Sequence, residues 1–266
     1  MAVRILLDAG HFGKQNRYHV LKPIEYYESE MTWKLHLCLK EALEAYGFEV
    51  GTTREKQEAD LPVSERGKMA KYYDLAVSLH SNTSENAKTE RAVVIVYQND
   101  LAWTDIDEKS AEMGVVLGET VKETMGLSSY QIYRKKHGAD RDRNGMRDDE
   151  WYGFLYGARL SGTPAVIVEH GFHTHKPTAE WLYNDDNLKK LAEAEAAALA
   201  EYYGLTKRGD VNGDGVVDSL DAVEVLKYDA GLTELGEAQK VAADFNKDGE
   251  VDTLDAADIL KHDAGL

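Results

Sequence analysis

The sequence predicts an α/β domain, a twisted mixed but mainly parallel sheet flanked by helices, followed by a small all-α domain built from a duplicated loop-helix unit. Three observations predict it. Short apolar runs alternate with helical segments as far as about Tyr203, the order that lays helices on both faces of a sheet. The C-terminal part then holds two near-copies of one segment, Asp210 to Asp221 (Asp-Val-Asn-Gly-Asp-Gly-Val-Val-Asp-Ser-Leu-Asp) and Asp244 to Asp255 (Asp-Phe-Asn-Lys-Asp-Gly-Glu-Val-Asp-Thr-Leu-Asp). Charge divides the same way: the formal net charge is −17, and from Lys207 onward six Lys+Arg face fifteen Asp+Glu. The domains are therefore read as residues 1–204 and 210–266, joined by a linker at 205–209.

Val3 to Leu7 form an apolar run ended by Asp8-Ala-Gly-His11, a buried strand followed by a tight loop. A helix from about Glu30 to Tyr46 stops at Gly47 and leads into a strand over Phe48 to Thr52. Pro62 suits the first turn of a helix running to Tyr72. Asp74-Leu-Ala-Val-Ser-Leu-His80 repeats the plan of the first strand, an apolar run delivering a histidine. Strands follow at Ala92 to Tyr97 and Ala165 to Val168, and helices near Glu108 to Met125 and Asn187 to Tyr203. Trp151, Tyr152 and Tyr156 form a helix stripe expected in the core, and the polar stretch Lys135 to Asp149 is expected as a loop, either bordering a groove or simply solvated. Cys38, the single cysteine, lies on an apolar helix face and has no internal partner for a disulfide.

Ligands in α/β folds gather beyond the strand ends. Three strand ends here deliver polar residues: His11, His80 and, after Pro-Ala-Val-Ile-Val, Glu169. A lone histidine after a strand is usually a hydrogen-bonded loop residue. Two of them with carboxylates at equivalent strand ends are the raw material of a catalytic zinc site, which uses three protein ligands and leaves one position open for water.

The strings Leu-Asp-Ala-Gly-His11, a glutamate opening the first long helix, Ser-Leu-His80-Ser-Asn and Pro-Ala-Val-Ile-Val-Glu169-His-Gly-Phe, in that order, resemble the zinc-dependent N-acetylmuramoyl-L-alanine amidases of the amidase type 3 family over about residues 2–203. The resemblance implies hydrolysis of the amide joining the lactyl group of N-acetylmuramic acid to L-alanine in peptidoglycan. It implies one catalytic zinc on His11, His80 and a glutamate, with Glu169 as the catalytic carboxylate. Glu28 and Glu30 both precede the helix. The family's apolar stripe, counted from Glu28, lands on Trp33, Leu35, Leu39 and Leu43 and then on Gly47, whereas from Glu30 it falls largely on polar residues, so Glu28 is taken as the third ligand. Glu30 is then a first-turn acid favoured by the helix dipole. Arg66 matches a family arginine, structural or in contact with substrate. Of the histidines after Glu169, His173 is expected beside the site or on the substrate and His175 on the surface, although His173 and His175 also spell a possible metal pair.

In the C-terminal repeats, oxygen ligands stand at positions 1, 3, 5, 9 and 12, glycine at position 6 makes the sharp turn and position 7 offers a backbone carbonyl, the pattern of a twelve-residue calcium loop. The first loop supplies Asp210, Asn212, Asp214, Val216, Asp218 and Asp221; the second supplies Asp244, Asn246, Asp248, Glu250, Asp252 and Asp255. After each loop an apolar pattern (Leu220, Val223, Val225, Leu226; Leu254, Ala257, Ile259, Leu260) predicts one buried helix face, and both helices should stop at Gly231 and Gly265. No helical pattern enters the first loop, so the unit is read as loop-helix, twice. It resembles a type I dockerin over about residues 208–266, which implies a small fold holding two structural calcium ions and docking onto a cohesin, with Ser219-Leu220 and Thr253-Leu254 in the contact region.

So acidic a chain is a poor match for nucleic acid, whose phosphates need a basic face. No apolar run is long enough to span a bilayer. The N-terminus goes straight into a strand with no h-region, as in a phage endolysin held in the cytoplasm until release, or in a secreted protein whose leader has been trimmed. The leading expectation is a zinc amidase that cuts cell walls, its second module binding a cohesin or a wall ligand. The alternatives are a zinc peptidase of the stem peptide and a non-catalytic wall-binding protein.

Overall fold

A computed structural model describes residues 2–18, 21–22, 25–97, 104–135, 139–141, 143 and 150–266. The chain forms two compact units, one of residues 1–42 and 48–199, the other of residues 43–47 and 200–266. Among the described residues, no helix is long and apolar enough to cross a membrane.

The first unit is built on a six-stranded sheet. Its strands are β1 (Arg4–Ala9), β4 (Glu49–Thr52), β5 (Leu75–Asn82), β6 (Ala92–Ile95), β7 (Tyr130–Tyr133) and β8 (Ala165–Phe172), in the order β4-β1-β5-β8-β6-β7. All pairings are parallel except that of β6 with β8. The sheet is thus mixed and mainly parallel, as expected. A separate two-stranded ribbon pairs β2 (Arg17–Tyr18) with β3 (Tyr26–Tyr27). The central strands are nearly continuous apolar runs buried along their length (Ile5, Leu6, Leu7; Leu75, Ala76, Val77; Val166, Ile167, Val168), as a sheet covered on both faces requires.

The helices of this unit are α1 (Glu28–Ala45), α2 (Val63–Lys68), α3 (Asp105–Met125), α4 (Gly153–Leu160), α5 (Lys176–Tyr183) and α6 (Asp185–Tyr203). Helix α1 begins at Glu28, two residues before the expected start, and α2 ends at Lys68 rather than Tyr72, which adopts a left-handed φ of 77°. Strand β7 and helix α5 were not anticipated. Helix α3 is bounded by a Thr104/Asp107 capping box and a left-handed Gly126. The expected core stripe at Trp151, Tyr152 and Tyr156 holds only in part: Tyr152 packs partly buried against the core that α4 fills with Phe154, Leu155 and Ala158, while Trp151 is 37 % exposed. The buried set follows the 3.6-residue period of a helix that starts only at Gly153.

Helices α2 and α4 touch backbone to backbone. A Cβ on Gly67 would stand 2.1 Å from the Phe154 carbonyl oxygen, and one on Gly157 would stand 2.1 Å from that of Ser64. Neither oxygen belongs to a side chain that can swing aside. Gly157→Ala is therefore expected to cost about 1–3 kcal/mol and to lower the Tm of this unit by several degrees. Calorimetry checks it, and an unchanged transition would mean that the helices part freely.

The second unit carries α7 (Ser219–Asp229), α8 (Glu237–Ala243) and α9 (Thr253–Asp263) around a core of Val211, Val217, Ala222, Val225, Leu235, Ala243, Ala256 and Ile259. Two expectations are corrected. The second loop does have an entering helix, α8, a short one whose buried residues are only Ala242 and Ala243, too small to stand out as an apolar stripe. The buried face of α7 and α9 is also narrower than expected: Ala222, Val225, Ala256 and Ile259 are inside, while Leu220, Val223, Leu226, Leu254 and Leu260 are 42–59 % exposed. A module this small has core volume for one residue pair per helix and leaves the wider stripe outside. Both helices stop at left-handed glycines, Gly231 and Gly265, as expected.

Candidate metal centre and calcium loops

Strands β1, β5 and β8 are neighbours, and their C-terminal ends carry the candidate residues. The β1 chain passes close against β5 through Gly10, whose N–H donates to the Leu79 carbonyl at 3.0 Å. A Cβ at Gly10 would lie 2.5 Å from Cε1 of His80, so only glycine lets the His80 ring occupy its place. The next residue, His11, has a left-handed φ of 60°. Such a backbone is costly for a residue with a side chain and collects at functional sites.

Glu28, the first residue of α1, is 2 % exposed and stands between the two imidazoles. Its Oε2 lies 3.2 Å from His11 Nε2 and its Oε1 3.0 Å from His80 Nδ1. The Ser81 N–H donates to Oε1 at 2.9 Å and the Asn16 amide to Oε2 at 2.8 Å, fixing the carboxylate in its plane. Burial pushes the Glu28 carboxyl up, but the His11 and His80 imidazoles outweigh it and hold it well below the usual carboxylate range. Glu30 is separate: its carboxylate pairs with Lys14 at 3.5 Å, with both side chains open to solvent.

One donor atom from each of His11, Glu28 and His80 lies within 4.8 Å of the others. A tetrahedral zinc with bonds of about 2.0–2.1 Å sets its ligand atoms roughly 3.3 Å apart. The two histidine–glutamate distances, one to each carboxylate oxygen, are close to that edge length. The donor set, two neutral imidazoles and one carboxylate, fits zinc with a fourth position free.

Glu169 on β8 is in register with His80. Its Oε2 is buried with no hydrogen-bond partner, and burial, with Glu28 adding to it, pushes the carboxyl up to about 7 although His80 pulls it down. His11, His80 and Glu169 line one cavity of about 220 Å³ together with Arg66, Ser78 and the apolar Val63, Ile95, Tyr152, Phe154 and Ile167. A polarised carboxylate thus faces both the metal position and an apolar enclosure.

Arg66 and His173, both candidates for substrate contact, are held by the chain's own polar groups, and Arg66 also lines the cavity. Arg66 is 6 % exposed and its Nη1 donates to both oxygens of Asp8, at 2.9 and 3.1 Å. Asp8 also accepts from Thr53 and Ser78, so Arg66 helps to tie β1, β4 and β5 beneath the cavity. His173 is 1 % exposed, with Nδ1 2.8 Å from Ser81 Oγ and its ring stacked on Tyr26. His175 is half-buried at the start of α5, beside Thr178, and among the described residues the three-donor group includes neither it nor His173. Lys135 to Asp149 lie largely outside the described residues. Two residues that the sequence reading passed over are His170 and Glu195, both wholly buried and 3.1 Å apart. The signal was an acid in the apolar stripe of α6, between Ala192 and Leu199.

In the second unit the loop side chains fold inward. Asp210 accepts from the N–H groups of Gly213 and Gly215 at 2.8 and 2.9 Å, Asn212 from Asp214 at 2.8 Å and Asp214 from Val216 at 2.9 Å. Asp218 caps α7 through the Leu220 N–H, and the fully buried Asp221 takes the N–H groups of Val211 and Asp218. The second loop repeats this with Asp244, Asn246, Asp248, Asp252 and Asp255. Left-handed residues recur at positions 4 and 6, Gly213 and Gly215 in one loop, Lys247 and Gly249 in the other. Oxygen-only donors and a buried, unpartnered Asp244 Oδ1 fit a calcium ion.

Residues 5–201 match the profile of the N-acetylmuramoyl-L-alanine amidase family, and residues 208–262 that of the type I dockerin domain. No curated protein matches the chain. Among solved structures, the catalytic domain of CwlV, an N-acetylmuramoyl-L-alanine amidase from Bacillus (Paenibacillus) polymyxa var. colistinus, is similar with a TM-score of 0.58 at 19 % identity, over 77 % of this chain and 99 % of that one. The N-acetylmuramoyl-L-alanine amidase from Clostridium difficile 630 gives a TM-score of 0.60 at 20 % identity, over 76 % of this chain and 97 % of that one. Ami1, the N-acetylmuramyl-L-alanine amidase from Mycobacterium smegmatis, gives 0.58 at 18 % identity, over 76 % and 97 %.

Proposed function

Because this chain belongs to the N-acetylmuramoyl-L-alanine amidase family through residues 5–201, we propose that it cleaves the amide between the lactyl group of N-acetylmuramic acid and L-alanine with one zinc on His11, Glu28 and His80. The observation that carries this reading is the convergence of those three donors opposite a buried carboxylate with a free oxygen. An amide carbonyl is a poor electrophile and neutral water a poor nucleophile. His11, Glu28 and His80 would hold a zinc ion, which would supply the Lewis acidity to polarise the carbonyl and to lower the pKa of bound water towards about 7.

The remaining work falls to the chain's own residues. Glu169, ionised, takes the proton from the attacking water, and the same carboxyl then delivers it to the departing alanine nitrogen as the C–N bond breaks. Burial raises the Glu169 carboxyl above the ordinary carboxylate range, which favours the proton-holding half of that exchange. Asn16 and the Ser81 N–H orient Glu28, and the apolar side chains of the cavity keep the Glu169 carboxylate poorly solvated.

The second module is read as a dockerin that holds a calcium ion in each loop and docks onto a cohesin through the exposed stripe of Leu220, Val223, Leu226, Leu254 and Leu260, next to Ser219 and Thr253. Exposed leucines repeated on both helices favour attachment to a cohesin-bearing scaffold over the solitary endolysin role. Digestion of purified peptidoglycan by zinc-loaded and zinc-stripped protein, with mass spectrometry of the products, tests the chemistry. New L-alanine amino termini from the loaded protein alone are expected. Cuts inside the stem peptide would make it a peptidase, and binding without cleavage a wall-binding protein.

A further inference from the structure

The β5/β8 ladder pairs His80 with Glu169 and then Asn82 with Phe172, so β8 holds one residue more than β5 over this stretch. The extra residue makes a bulge at His170-Gly171, with Gly171 left-handed at φ 77°. At the bulge the imidazole of His170 reaches the neighbouring strand: its Nδ1 lies 2.9 Å from the carbonyl oxygen of His80. Its Nε2 lies 3.1 Å from Glu195 Oε1 on α6. Both side chains are fully buried, and neither has a part in the chemistry described above.

We propose that His170, anchored by Glu195, is a positioning residue that clamps the backbone of His80 across the bulge and so sets both the His80 ring and the Glu169 carboxylate at the metal. A carbonyl oxygen can only accept, so Nδ1 donates to it. Nε2 faces a carboxyl, so one proton lies between them and the pair is neutral as a whole. The clamp therefore ties helix α6 to a metal ligand at no net buried charge. Without it the His80 carbonyl would lose a buried side-chain donor beside the point where the register shifts, and the strand end would be freer to move. Since Glu169 directly precedes His170, such a shift moves ligand and catalytic carboxylate together.

The inference rests on the zinc reading, and the test separates the two. Full-length wild type, His170→Leu, Glu195→Leu and Glu195→Gln are compared, with calcium saturating, for zinc affinity by competition with a chromogenic chelator, for Tm, and for kcat and KM on peptidoglycan fragments. Glutamine at 195 can still donate to Nε2 of a neutral His170 whose Nδ1–H holds the carbonyl, so Glu195→Gln should stay close to wild type. His170→Leu and Glu195→Leu should lose about 10–100-fold in zinc affinity, with kcat falling and KM little changed. Should His170→Leu fail to fold, the contrast between leucine and glutamine at 195 still decides. Leucine variants that bind zinc and turn over like wild type, differing only in Tm, would overturn the positioning role. A wild type that takes up no zinc would overturn the metal reading as well.

Discussion

Glu169→Gln is expected to lower kcat by roughly 10²–10⁴-fold, the usual worth of a positioned general base and acid, while zinc affinity stays within a few-fold. The amide of glutamine fills the same volume but takes no proton. The same substitution should stabilise the metal-free protein. In the folded chain the Glu169 carboxyl sits at about 7, above the ordinary 4.5, so between those values the folded state binds more protons than the unfolded one and stability falls as pH rises. The penalty is complete above about pH 7 and absent well below pH 4.5. Glutamine removes it, and the stripped variant should gain on the order of 1–3 kcal/mol at pH 8 and nothing at pH 4. In the loaded enzyme the base must be ionised, so activity should fall as pH drops through the Glu169 pKa. The positive charge of zinc draws that limb below 7. Loss of activity without the pH-dependent gain in Tm would mean that Glu169 is not the buried, unpaired carboxylate described here.

Removal of calcium should unfold the second unit and spare the first. Each loop packs several carboxylates around one point, and the helices behind them share only a small core. Without cations that repulsion has nothing to offset it, and modules of this size commonly owe their folding to metal. Stripping all metal and restoring zinc alone should abolish the helical signal of α7 to α9 and open residues 210–266 to proteases, while amidase activity on soluble muropeptides persists. Every proposed zinc ligand lies in the first unit and every proposed calcium ligand in the second. A loss of activity that only calcium reverses would contradict that independence.

Much of the first unit was legible because its central strands are pure apolar runs that each end in a polar residue. A run of the form Leu-Ala-Val-Ser-Leu followed by His80 announces both the strand and what the strand delivers. Strand β7 was not legible: Tyr130 to Tyr133 sit at the sheet edge, only partly buried, and lack that composition. Helix α8 hides behind alanines. At the metal centre, Glu28 and Glu30 could be separated only by the phase of the stripe behind them, and what distinguishes them physically is burial against Ser81 and Asn16. The His170–Glu195 clamp depends on a bulge, and a one-residue register shift between strands far apart in sequence leaves no periodic trace. In the second unit the calcium spacing was plain, but its apolar residues outnumber the places in its core, and no pattern within a helix tells a buried leucine from one kept for a partner.

The sheet order also governs when the enzyme can exist during synthesis. Strand β8 is the last of the six in the chain, yet it lies in the interior of the sheet, between β5 and β6. Until it emerges from the ribosome, β4-β1-β5 and β6-β7 are two separate ribbons, each with an open apolar edge and nothing to join them. The nascent chain holds His11, Glu28 and His80 early but gains Glu169 only with the strand that closes the sheet. Fragments cut short before that strand are thus unable to attack a cell wall, and they are the species that chaperones and proteases must clear.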